Sequence, residues 1–214
     1  QEECRDQAEF VERQLALGLD AVVAIPVRPM RRPHPMPDLG NLRGLPVEFP
    51  PDVEVRDWRE DRPGERFPLL HREYLTPSGR LHTSMELTGD FTHSDRIALF
   101  DDFTVPRAKE HLVASEADLP ALRHLLAPPA ARHIAAFREQ ARHAKQLARR
   151  HDLLVTGEWG VLFDAACWLC GIENLVTALM TDPGFAEELF AILGGWNRGR
   201  MEIILDEGVD LFIR

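Results

Sequence analysis

No apolar run in this chain approaches the roughly 20 residues that a helix needs to cross a bilayer, so no membrane partner is expected. The amino end is polar and acidic and lacks the apolar segment of a secretory leader, which makes the cytoplasm the expected compartment. Positive charge is in the minority: 25 Lys and Arg against 35 Asp and Glu leave a formal net charge of -10. A protein that displaces counterions from nucleic acid presents a basic surface, so nucleic acid is not expected as a partner either. Three cysteines in 214 residues cannot form a disulfide framework. Cys167 and Cys170 make a lone C-x-x-C, filled by Trp168 and Leu169 inside an apolar helical pattern. A redox pair wants an exposed helix start with a lowered thiol pKa, so these two read as core thiols.

What is present is a soluble globular composition, 44% hydrophobic and 28% charged. The organising stretch is Leu153-Leu-Val-Thr-Gly-Glu-Trp-Gly-Val-Leu-Phe-Asp-Ala-Ala-Cys-Trp-Leu-Cys-Gly171. It predicts a buried strand over Leu153 to Thr156, a turn between Gly157 and Gly160, and an apolar helix. A long helical pattern precedes it and two more follow, as in a parallel α/β fold. Ligands in such folds meet the chain past the carboxyl ends of the strands. Glu158 and Trp159 therefore stand on the rim of any active site, and the two glycines would let backbone approach a ligand closely.

The rest of the chain repeats that logic. Ala8, Val11 and Leu15 recur at helical spacing, Gly18 closes the helix, and Leu19 to Val27 is a strand. Arg28 to Pro51, dense in Pro, Arg and Gly, reads as a long loop. Its Arg28, Arg31 and Arg32 would either meet an anionic substrate or stay solvated. Residues 53–60 and 69–88 alternate in polarity around the turn Thr76-Pro-Ser-Gly79, predicting an antiparallel hairpin insertion (53–88) with room for a third strand.

Asp90, His93, Asp95, Asp101 and Asp102 are candidate metal ligands without a known ligand spacing. Turn and cap roles are the alternative. Later come a short helix opened near Asp118, a long helix striped by Ile134, Phe137, Ala141, Ala144 and Ala148, and a helix opened by Asp182 and Pro183. Val209 to Ile213 is a final strand, with Asp20 and Asp210 at amino ends of strands in structural roles. Because the chain opens at Gln1 inside a helical pattern and stops just after a strand, a fragment is expected.

In order along the chain, several pieces carry a family likeness: Gly18-Leu-Asp-Ala-Val-Val-Ala24, Tyr74-Leu-Thr-Pro-Ser-Gly-Arg-Leu81, Ser115-Glu-Ala-Asp-Leu-Pro-Ala-Leu122, Gly157-Glu-Trp-Gly160, Leu169-Cys-Gly-Ile-Glu-Asn-Leu175, Thr181-Asp-Pro-Gly-Phe-Ala-Glu-Glu-Leu189 and Glu207-Gly-Val-Asp-Leu-Phe212. Together they resemble the uroporphyrinogen decarboxylase superfamily, which also holds corrinoid-linked methyltransferases. The resemblance implies a partial (β/α)8 TIM barrel, one domain over residues 1–214, with its active site at the carboxyl face of the strands and the rest of the barrel outside this sequence.

Carried over residue by residue, the family's catalytic aspartate falls on Val27 and its active-site tyrosine on Trp168. Valine cannot gather pyrrole N–H groups, and an indole N–H donates but does not accept. The resemblance therefore implies a small-molecule enzyme working by methyl transfer or an uncharacterised reaction rather than by porphyrinogen decarboxylation. Glu158 is the catalytic candidate, for acid/base or orienting work, with helix capping as its alternative. Val27, Arg28, Trp159 and Trp168 line the substrate, core packing being the alternative for both tryptophans. Zinc or a corrinoid, and a corrinoid protein as partner, belong to the full-length protein, since the zinc ligands of the methyltransferase branch lie beyond Arg214. Two alternatives are a true decarboxylase of tetrapyrrole synthesis and a non-catalytic corrinoid- or tetrapyrrole-binding protein.

Overall fold

This computed structural model describes residues 4, 6–25, 45, 49–91, 96–158 and 162–213, and among them seven strands in two sheets and six α-helices surround a main core, with a smaller cluster of Leu70, Met85, Phe91 and Ile97 beside it. The proline- and arginine-rich segment read as a loop lies almost wholly outside the described residues.

Helix α1 (Gln7–Ala16) starts where Asp6 accepts the Glu9 N–H at 2.9 Å and ends before Gly18, whose φ of 72° suits a residue without Cβ. It leads into β1 (Val22–Ile25), shorter than the run of apolar residues that predicts it. Next come β2 (Glu54–Glu60), β3 (Leu69–Thr76) and β4 (Gly79–Glu86), then β5 (Ala108–Glu110). These four form an antiparallel sheet in the order β2-β3-β4-β5, with Thr76 opposite Gly79 at the hairpin turn. The expected insertion boundary is thus corrected: the antiparallel unit runs on to Glu110. A three-residue strand offers too few positions to show alternation, and β5 joins β4 through an irregular register.

Helix α2 (Leu119–Leu125) follows a capping box in which the Asp118 carboxylate accepts from the N–H groups of Ala114 and Ser115. It packs its Leu119, Leu122 and Leu125 against Tyr74 and Leu81 of the antiparallel sheet. The long helix α3 (Ala131–His151) buries Phe137, Ala141, Ala144 and Ala148, the stripe expected from spacing, whereas Ile134 is half-buried. Three basic residues in its last turn face the negative end of the helix dipole.

Strand β6 (Leu154–Glu158) then enters beside β1, and α4 (Phe163–Cys170), α5 (Ile172–Thr181) and α6 (Pro183–Asp206) lead to β7 (Leu211–Ile213). Asp182 caps α6 by accepting the Phe185 N–H, with Pro183 first in the helix. Strands β1, β6 and β7 are parallel, in the order β1-β6-β7.

The faces of this parallel sheet differ. Val23, Ile25 and Val155 are buried, and α3 packs against β1 and β6. On the opposite face Val22, Leu154 and Leu211 are 45%, 53% and 44% exposed, whereas Thr156, opposite Leu211, is buried. Parallel sheets normally hide both faces. Among the described residues three parallel strands are present and no closed barrel.

No described helix is long and apolar enough to cross a membrane; α4 and α5 together reach that length and composition but bend by 104° at their junction.

Candidate functional site

The carboxyl ends of the parallel strands align closely: Ile25 is in register with Gly157, and Glu158 with Ile213. Glu158 is the last residue of β6, not a residue of the turn expected after Thr156: the strand runs two residues further, through Gly157, in pairing with β1 and β7. Val27 and Arg28 follow the end of β1 by two and three residues in sequence, and Trp159 follows Glu158; all three lie outside the described residues. Strand topology thus brings Ile25, Gly157, Glu158 and Ile213 to one end of the sheet.

Gly157 has a different reason to be glycine than ligand approach. A Cβ there would stand 2.6 Å from Ile204 Cγ2 and 3.2 Å from Val209 Cγ1, so the missing side chain is space taken by the end of α6 and the approach to β7. Asp210 locks that approach. Its carboxylate accepts the Val155 N–H at 2.8 Å, and its own N–H donates to the Val155 carbonyl at 2.9 Å. Asp210 has the structural role expected from its place at a strand's amino end; Asp20 is exposed.

Trp168 sits on α4, half-buried, and donates its indole N–H to the Asp102 carboxylate. Its ring tilts against Phe100 at 6.0 Å, and Phe100 in turn meets Trp196 at 5.3 Å. The indole therefore pins the segment around residues 100–102 to α4, and its one donor is already used.

The other candidates resolve into local roles. Asp101 accepts the Phe103 N–H at 3.1 Å, and Asp90 pairs with Arg107 at 2.6 Å. His93 and Asp95 lie outside the described residues. Among the described residues no group of three or more His, Cys, Asp or Glu could hold a metal ion. Cys167 and Cys170 are buried, as expected of core thiols. Burial raises both thiol pKa values, with Asp164 contributing at Cys167, and Cys170 is pushed up to about 12.

Two cavities bounded by described residues lie away from the strand ends. One, of about 350 Å³, is an apolar groove between Pro128-Pro129 and α6, lined by Ile192, Trp196 and Ile203. The other, of about 590 Å³, is polar and lined by Arg80, His82, Lys109, Glu110 and His111. The histidines of the antiparallel sheet were not singled out by spacing, because they are eleven residues apart and meet only across the hairpin. The turn at Thr76–Gly79 was the signal that could have found them, since it sets His71 opposite Ser84 and His82 opposite Glu73 on one face.

Set against protein-family models, characterised proteins and solved structures, the chain finds no match in any of the three comparisons.

Proposed function

We propose that the parallel sheet is an arc of a (β/α)8 barrel, and that the chain is part of an enzyme of the uroporphyrinogen decarboxylase superfamily acting on a small molecule. The observation that carries the reading is the sheet's asymmetry. Helices pack on the sheet, while on the other face Val22, Leu154 and Leu211 are exposed around a buried Thr156. A barrel has this construction, with helices outside and apolar side chains filling its interior. In this reading further strands complete the wall and hide these three residues.

The active site of such a barrel lies at the carboxyl ends of its strands, which directs attention to Glu158 as acid/base or orienting group. Val27, Arg28, Trp159 and Trp168 are its proposed substrate-lining companions. Valine at position 27 and tryptophan at position 168 favour methyl transfer or an uncharacterised reaction over porphyrinogen decarboxylation.

Two experiments on the full-length protein test the two halves of the reading. Leu154→Cys should resist a water-soluble thiol reagent if it lines a barrel, and rapid labelling would reject the arc. Glu158→Gln should lower kcat by about 10²-fold or more, the scale of general acid–base catalysis. Unchanged turnover on an identified substrate would remove Glu158 from the mechanism.

A further inference from the structure

The outward face of the antiparallel sheet carries a row of side chains crossing all four strands. Glu60 on β2 contacts His71 Nε2 on β3 at 3.0 Å. His71 Nδ1 faces His82 Nε2 on β4 at 3.2 Å. His82 Nδ1 meets the Glu110 carboxylate on β5 at 2.6 Å. Trp58, directly opposite His71 on β2, lies parallel to that imidazole, at 2° and 4.8 Å, and reaches the His82 ring at 5.5 Å. The neighbouring Glu73 takes no part, being paired with Arg80 and Arg56.

The protons in this row do not suffice for its contacts. A neutral imidazole carries one ring proton. Each outer nitrogen faces a carboxylate, which only accepts, so the two ring protons are used there. The inner nitrogens, 3.2 Å apart, are then left with two lone pairs and no proton between them. Something positive belongs between them: a third proton or a metal ion.

The geometry points to the metal. Zinc–nitrogen bonds of about 2.0–2.1 Å at a tetrahedral angle hold two nitrogens about 3.3 Å apart. Metal-bound histidines also donate their other N–H to a carboxylate, which fixes tautomer and ring orientation. Both histidines here have that partner before any metal is considered. We propose that His71 Nδ1 and His82 Nε2 form a two-histidine site for a borderline divalent ion such as Zn²⁺ or Cu²⁺, oriented by Glu60 and Glu110 and stiffened by the Trp58 ring. Among the described residues no third protein ligand completes the set, so the remaining positions fall to water or to oxygen atoms of a small ligand. His82 lines the 590 Å³ polar cavity through which either could enter. On metal entry, any proton shared by the inner nitrogens leaves to solvent. The site is separate from the strand ends of the parallel sheet and stands whether or not the barrel reading does.

The test uses the whole chain and the metals alone. Zn²⁺ titrated calorimetrically should bind at one equivalent, and Cu²⁺ should give an electron paramagnetic resonance spectrum split by two nitrogens. His71→Gln and His82→Gln should each weaken binding at least tenfold, whereas His143→Gln, on the exposed side of α3, should leave it unchanged. If either imidazole variant loses its circular dichroism signature of folding, Glu60→Ala replaces it, with about a tenfold loss expected from removing a carboxylate behind a ligand. Trp58→Phe should keep the site but lose most of the Cu²⁺ quenching of tryptophan fluorescence. Absence of saturable binding in the wild type would mean a proton closes the row and would overturn the proposal, as would binding that survives the folded histidine variants.

Discussion

Asp210 and Val155 exchange two hydrogen bonds, one through the aspartate backbone and one through its carboxylate, so that β7 is fastened to β6 before its ladder begins. Asp210→Ala removes the side-chain acceptor and leaves the Val155 N–H seeking a partner. The expected loss is about 1–3 kcal/mol, the cost of an unsatisfied buried donor. Urea unfolding monitored by circular dichroism would measure it, and a midpoint unchanged from wild type would show that the clip is dispensable.

Gly157 should tolerate no side chain. Gly157→Ala drives a methyl to 2.6 Å from Ile204 Cγ2, and overpacking of this kind costs roughly 1–3 kcal/mol. Ile204→Ala makes room for it at its own cost of about 2–5 kcal/mol. The double variant should therefore lose less stability than the two single losses added together. Strict additivity would mean that the strain is relieved elsewhere.

The indole of Trp168 can be separated into its two possible duties. Trp168→Phe keeps the contact with Phe100 and removes the bond to Asp102, for an expected loss of about 1 kcal/mol. Asp102→Asn retains a carbonyl acceptor and should lose less. If Trp168 also lines a substrate, only its own substitution raises KM. Equal kinetic effects from both variants would assign the tryptophan to packing alone.

Cys170 should be chemically silent in the folded protein. Its pKa of about 12 leaves on the order of one thiol in ten thousand ionised at pH 8. Iodoacetamide at pH 8 should modify it only after unfolding, and mass spectrometry of the native and urea-treated protein would read the difference. Prompt native labelling would show that α4 opens readily.

His111 lies over Gly171, and burial lowers its pKa from the ordinary histidine value of 6.5. The unfolded chain therefore takes up the proton first as pH falls. This residue's contribution to stability is complete above about pH 6.5 and declines as the pH drops below that value. His111→Gln should flatten part of the fall in melting temperature between pH 7.5 and 5.5. An unaltered pH profile would place the acid sensitivity in other groups.

The features that sequence pattern revealed were those set by local periodicity or by a single turn residue. The α3 stripe, the Asp182 cap, Gly18 and the hairpin turn all act within a few residues of themselves, and each stands where spacing places it. Features that depend on tertiary meeting were hidden. Strand β5 is only three residues long, Gly157 owes its identity to Ile204 nearly fifty positions later, and Asp102 takes up Trp168 from a different element. The row from Glu60 to Glu110 is the clearest instance, since each member looks like an ordinary surface residue until four strands lie side by side.

The Gln7 carboxamide, oriented to satisfy both its ends, accepts the Ala24 N–H at 2.8 Å and donates to the Ala24 carbonyl at 3.1 Å. A side chain of α1 thus stands in for a neighbouring strand along the outer margin of β1. The parallel sheet is consequently a one-way structure: its β1 border is plugged, and a newcomer there must first evict Gln7. Among the described residues nothing pairs with the far side of β7. Any strand recruited to this sheet, from this polypeptide or another, therefore meets least resistance on the β7 side.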